Sequence, residues 1–272
     1  MPRPRAATDA VYGQRLIGGP GSERRSTVGR RNIDVSRRLL RHARVMRRIA
    51  EQQAVSAGIG LGIVLSSAAV TYVLLVHPRV ATSAPAATAV GLLALAGLLC
   101  AYGYAAWVAH RPSTPDAAAD VVVGGRFGIA VAGFWILEIV AGNVLGNHPY
   151  TQAIYMAALL GVVVSGACAG WVASSRSGRF TDGVTAGLWS GVTSGWVPLV
   201  SLLLIAVLLP GTVGADPQNI AQASHAGASN VLEFAIGDDL VAGINHLWLG
   251  PLLGLILGAI GAAVRRDMVA ST

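Results

Sequence analysis

Glu138 stands in the run Phe134-Trp135-Ile136-Leu137-Glu138-Ile139-Val140, with apolar residues on both sides. An ionisable side chain inside hydrocarbon is costly, and where one is kept it usually pairs, relays a proton or meets a cation. His246 occupies a second apolar segment, within Gly243-Ile244-Asn245-His246-Leu247-Trp248. Counted from segment ends that face the same side, Glu138 is seven residues deep and His246 five, or roughly 10 and 8 Å at the α-helical rise. A carboxylate and an imidazole at matching depth could share a proton or bind a cation. Asn143 and Asn245 add amides slightly nearer the surface.

Two prolines belong to the same region. Pro198 and Pro251 fall near the middle of the last two apolar segments. Each removes one helical hydrogen bond and pushes away the carbonyl four residues earlier, here those of Ser194 and Leu247. Freed backbone at the level of a bilayer midplane can line a solute or ion site, with Ser194 and Thr193 beside it. These residues also admit a purely structural use, because prolines and hydrogen-bonded polar groups are common in membrane helices.

Other chemistry is not spelled out. The chain has no phosphate-binding loop, no His-Glu-x-x-His helix and no nucleophile motif, so no catalytic residues, cofactor or metal ligands are assigned. Cys100 and Cys168 lie in apolar segments without metal-site spacing and read as buried thiols.

The elements that hold these groups follow from composition. Of the 272 residues, 53% are hydrophobic and 12% charged, about half the charge of a soluble domain. A membrane helix needs about 20 apolar residues, and six segments qualify: 57–76, 87–109, 122–145, 152–174, 184–209 and 241–264. The expected fold is all-α, a six-helix transmembrane bundle over 54–266, with 210–240 as an extracytoplasmic loop. Gly125-Arg126-Phe127 and Gly178-Arg179-Phe180, each followed by an Ala-Gly-x-Trp run, read as a repeat, giving three stacked hairpins.

Glycine recurs every fourth residue at Gly183, Gly187, Gly191 and Gly195, and again at Gly250, Gly254 and Gly258. Positions four apart lie on one helix face, so each run is a smooth strip along which another helix can approach closely. Helices five and six are therefore expected to pack most closely of all.

All 20 basic residues are arginine. Thirteen lie in residues 1–56, and six spans would gather 19 on the side of both termini against Arg79 alone on the other. The positive-inside rule then predicts cytoplasmic termini in a multi-pass cytoplasmic membrane protein of bacterial type. Residues 1–33 lack an apolar period and are expected to be disordered. Residues 34–53 are expected to form a basic amphipathic helix capped by Asp34, with Arg37, Arg38, Arg41, Arg44, Arg47 and Arg48 on anionic lipid headgroups.

The functional expectation is a small-solute or ion transporter component, not an enzyme, with Glu138 as its exchanging group. The alternative is a membrane scaffold or regulator that uses the basic arm to bind lipid or a partner. Self-association or a partner membrane protein fits the glycine faces, and nucleic acid is not an expected partner because no DNA-binding fold accompanies the charge.

Overall fold

The computed structural model describes residues 22–82, 85–111, 114–146 and 148–270, with side chains for most residues from Val45 onward. The described residues form ten helices and no strand. In order these are α1 (Ser22–Val76), α2 (Pro78–Thr82), α3 (Pro85–His110), α4 (Pro115–Asn143) and α5 (Thr151–Ser177). They continue with α6 (Phe180–Ser194), α7 (Val197–Leu208), α8 (Pro210–Ala215), α9 (Pro217–His225) and α10 (Val231–Ala270). Six helical stretches are long and apolar enough to cross a membrane, the fifth running through α6 and α7, which is compatible with a multi-pass membrane protein. Arg48–Thr272 forms one compact unit and Met1–Arg47 another.

Two expected boundaries move. α1 begins at Ser22, so Asp34 lies within the helix and not at its start, and residues 22–33 are helical. That stretch has no proline and four arginines, which are good helix formers, and nothing in it stops the helix. Residues 1–21 of the expected tail, and the side chains of Arg37, Arg38, Arg41 and Arg44, lie outside the described residues; Arg47 and Arg48 are exposed. The second change concerns 210–240, which is mostly helical and not an open loop. Its prolines start helices: Pro210 and Pro217 stand in the first turns of α8 and α9, where a missing N–H costs no intrahelical bond. Asp216 caps α9 by accepting from the Gln218 amide at 2.7 Å. Asn230 accepts from the Glu233 amide at 3.2 Å and starts α10 at Val231, ten residues before the expected sixth span.

Other ends follow ordinary chemistry. Thr114 caps α4, its hydroxyl accepting from the Ala117 amide at 3.1 Å, with Pro115 at the first helical position. α5 ends at Gly178, whose φ of 78° is left-handed and suits glycine alone among common residues.

The helices meet in two different ways. α4, α5, α6 and the second half of α10 pack backbone to backbone. The α6 and α10 glycine strips face each other in antiparallel register. Gly183 opposes Ala262, Gly187 opposes Gly258, Gly191 opposes Gly254 and Gly195 opposes Gly250, so each step of four along one helix meets a step of four back along the other. A Cβ placed on Gly258 would lie 2.7 Å from the Gly187 Cα, and one on Gly250 2.8 Å from the Gly195 Cα. Among the helix contacts of the described residues this pair is the most extensive. Gly124 and Gly128 of α4 lie in the same way against Ser190 and Thr193 of α6, and Gly170 and Gly261 bring α5 onto α10.

α1 and α3 associate through side chains instead. Ile59, Val73, Leu95 and Tyr102 pack with Leu199, Leu203, Ile236 and Leu247 of α7 and α10 in the main apolar core. The Ser56 hydroxyl donates to the Ala106 carbonyl at 2.9 Å, tying α1 to α3.

Candidate functional site

The fifth span breaks where Pro198 demands it. α6 stops at Ser194, Gly195 and Trp196 form a turn, and α7 resumes at Val197. Pro251 leaves α10 unbroken, and the carbonyl it frees is satisfied from another helix. The Tyr102 hydroxyl of α3 donates to the Leu247 carbonyl at 2.9 Å in a buried bond. The same hydroxyl packs against Gly195, where a Cβ would displace it. Thus the α6–α7 break, the α10 proline and Tyr102 form one knot between three helices. Tyr102 gave no sign of this role in the sequence, because an interior tyrosine resembles any other core aromatic.

Glu138 lies on α4, half-buried, and three helices converge on it. Tyr155 of α5 and His246 of α10 both lie near enough to its carboxylate to interact with it electrostatically. The His246 Nδ1 lies 2.8 Å from the Ala242 carbonyl oxygen. A carbonyl can only accept, so Nδ1 carries a proton and Nε2 is the nitrogen left for proton exchange. Trp135, one turn before Glu138 and buried, meets the His246 ring edge to face at 5.1 Å and 83°. The cluster therefore holds a carboxylate, a phenol and an imidazole with one basic nitrogen uncommitted to its own backbone. Such a set can take up, hold and pass a proton, or offer oxygen and nitrogen ligands to a small cation.

Not every predicted residue joins it. The Asn143 amide donates to the Ile139 carbonyl at 2.9 Å, turned back on its own helix. Asn245 is exposed and its side-chain oxygen accepts from Trp248 Nε1 at 3.4 Å. Ser194 is fully buried and donates to the Ser190 carbonyl at 3.0 Å. It lines a small cavity with Ser190, Trp135 and Gly250, so Trp135 separates it from the Glu138 group. Tyr155 was missed by sequence reasoning, since a tyrosine near the start of an apolar segment is an ordinary interface anchor.

A second polar group sits at the opposite end of α4. Arg179 donates from Nε and Nη2 to Asp182 at 3.1 and 2.9 Å and from Nη2 to Asp116 at 3.1 Å. The hydrogen bonds and charge of Asp182 push the Arg179 guanidinium above its ordinary value, so it stays charged. Asp120, buried beside them, interacts with Asp182 and Arg179. This group fastens the start of α4 to the start of α6. Among the described residues no three His, Cys, Asp or Glu side chains are grouped to hold a metal ion.

Compared with protein-family models, curated proteins and solved structures, the chain matches none.

Proposed function

We propose that this protein is a membrane transport component for a small solute or ion, in which Glu138 is the group that binds and releases a proton or cation. The observation that carries the reading is the meeting of Glu138, Tyr155 and His246 from α4, α5 and α10. A polar group serving only its own helix would turn back on the backbone, as Asn143 does. Glu138 instead engages side chains of two other helices. In this reading Tyr155 orients the carboxylate and His246 Nε2 is the alternating proton acceptor. The break at Gly195–Trp196 and the proline in α10 supply the places where the surrounding helices can bend.

The test is proton flux into proteoliposomes under an imposed potential, read by an enclosed pH-sensitive dye. Glu138→Gln is expected to lower flux to the protein-free background while leaving the melting temperature of the purified protein unchanged. Tyr155→Phe keeps the ring and is expected to retain a fraction of the flux, about a tenth if the lost interaction with the hydroxyl is worth about 1.4 kcal/mol. Glu138→Gln flux equal to wild type would remove Glu138 from the role.

A further inference from the structure

The side-chain packing of α1 leaves a groove along its contact with α4. The groove has a volume of about 570 Å³ and is walled by Ala54, Val55 and Gly58 of α1 and by Gly125, Ile129, Ala132, Gly133 and Ile136 of α4. Its floor is Thr193, Trp196 and Val197, at the α6–α7 break. Apart from Thr193 the lining is apolar until one end, where Arg126 donates from Nη2 to the Glu51 carboxylate at 2.6 Å. Within the compact unit this is a channel of small residues with a single charged mouth.

Its dimensions match one leaflet of a bilayer. Arg126 lies 17 residues before Asn143, the last residue of α4, or about 26 Å. Against a hydrocarbon core of about 30 Å, that places the Arg126 end near one boundary when Asn143 is near the other. From Arg126 to Ile136 is ten residues, about 15 Å, or half the core. The groove thus starts at headgroup level and runs down to the midplane. Its volume is within the roughly 300–1,000 Å³ common for ligand pockets.

We infer that this groove is a phospholipid site, holding one acyl chain between α1 and α4 with the lipid phosphate on Arg126. A guanidinium offers five donors in a planar fork, and its side chain here is 52% exposed while one end is held by Glu51. It can keep that bond and present other N–H groups to a phosphate. Glu51 fixes the guanidinium at the mouth, and the absence of side chains at Gly58 and Gly133 makes room for the chain below.

The groove can be filled without disturbing the fold, because a Cβ at Gly58 or Gly133 meets no atom within 4 Å. The experiment uses the full chain, purified in detergent and titrated with dioleoyl phosphatidylglycerol or dioleoylglycerol, with bound lipid counted by native mass spectrometry. Wild type is expected to retain one phosphatidylglycerol preferentially. Gly58→Leu/Gly133→Leu should lower that retention at least fivefold, while Gly97→Leu, also in open space but on α3, should leave it unchanged. Arg126→Gln should reduce retention of phosphatidylglycerol but not of dioleoylglycerol, which has no phosphate. Equal retention by wild type and the double leucine variant would overturn the assignment. So would a dimer abolished by the same leucines, since the groove would then belong to a second copy of the chain. None of these readouts depends on Glu138, so they stand or fall apart from transport.

Discussion

Tyr102 carries a single hydrogen bond that offsets a defect on another helix. Pro251 cannot donate to the Leu247 carbonyl, and in an apolar interior an unpaired carbonyl costs about 1–3 kcal/mol. The Tyr102 hydroxyl supplies the missing donor at 2.9 Å. Tyr102→Phe is therefore expected to destabilise the protein by about 1–3 kcal/mol. In a Pro251→Ala background, where the α10 amide can take over, the same change should cost clearly less. Thermal unfolding in detergent of the four members of this cycle measures the coupling, and equal costs in both backgrounds would show that the hydroxyl does not serve the proline. The sequence located the defect: proline chemistry alone names Leu247 as the freed carbonyl. It could not name the donor, because Tyr102 is 145 residues away and nothing local marks it. The same holds at Glu138. The apolar context of Glu138 and His246 is visible in the sequence, whereas Tyr155 looks like an ordinary aromatic anchor until α5 is packed against α4.

Among elements, α6 and α10 show what a four-residue period does and does not encode. The period fixes which face of each helix is smooth. The antiparallel register, with Gly187 on Gly258 and Gly191 on Gly254, also needs the partner and its direction, which only the assembled bundle supplies. Because no side chain separates these backbones, an added methyl has nowhere to go. At Gly187 it would meet the Gly254 carbonyl and lie 2.5 Å from the Gly258 Cα. Gly187→Ala should therefore force the helices apart and cost about 1–3 kcal/mol, the usual penalty for overpacking. Gly103→Ala, on α3 with nothing within 4 Å, should be neutral or slightly stabilising, since alanine favours the helix by up to about 1 kcal/mol. Melting temperatures of the two variants in the same detergent decide this, and a stable Gly187→Ala protein would mean that the pair is loose. Helix ends were less legible for a related reason. Pro210 and Pro217 read as loop residues from sequence, yet a proline serves equally well in a first turn, and the chain on either side chooses between the two uses.

At the scale of the whole molecule, the six long helices and their contacts sort the arginines. Arg126 meets Glu51 near the start of the membrane-long stretch Val45–Val76 of α1, Arg179 meets Asp116 and Asp182, and Ala262, just before Arg265 and Arg266, opposes Gly183 near the start of α6. The Ser56–Ala106 bond brings the end of α3, and with it Arg111, to the same level. One end of the bundle thus carries Arg111, Arg126, Arg179, Arg265 and Arg266, while Arg79 at the other lies 4.0 Å from Glu233. Acidic neighbours do not cancel this asymmetry, because orientation responds to arginine and lysine near span ends and only weakly to aspartate and glutamate. The arginine-rich end is therefore expected to face the cytoplasm. A fluorescent-protein fusion after Thr272 should be bright, and alkaline phosphatase inserted at Gly227, in the turn between α9 and α10, should be active. Replacing Arg265 and Arg266 with serine should leave this unchanged, since the remaining arginines at that end still outnumber Arg79. Active phosphatase after Thr272 together with inactive phosphatase at Gly227 would invert the molecule. The Glu138 cluster would then open toward the cytoplasm and the Arg126 mouth of the groove toward the opposite leaflet.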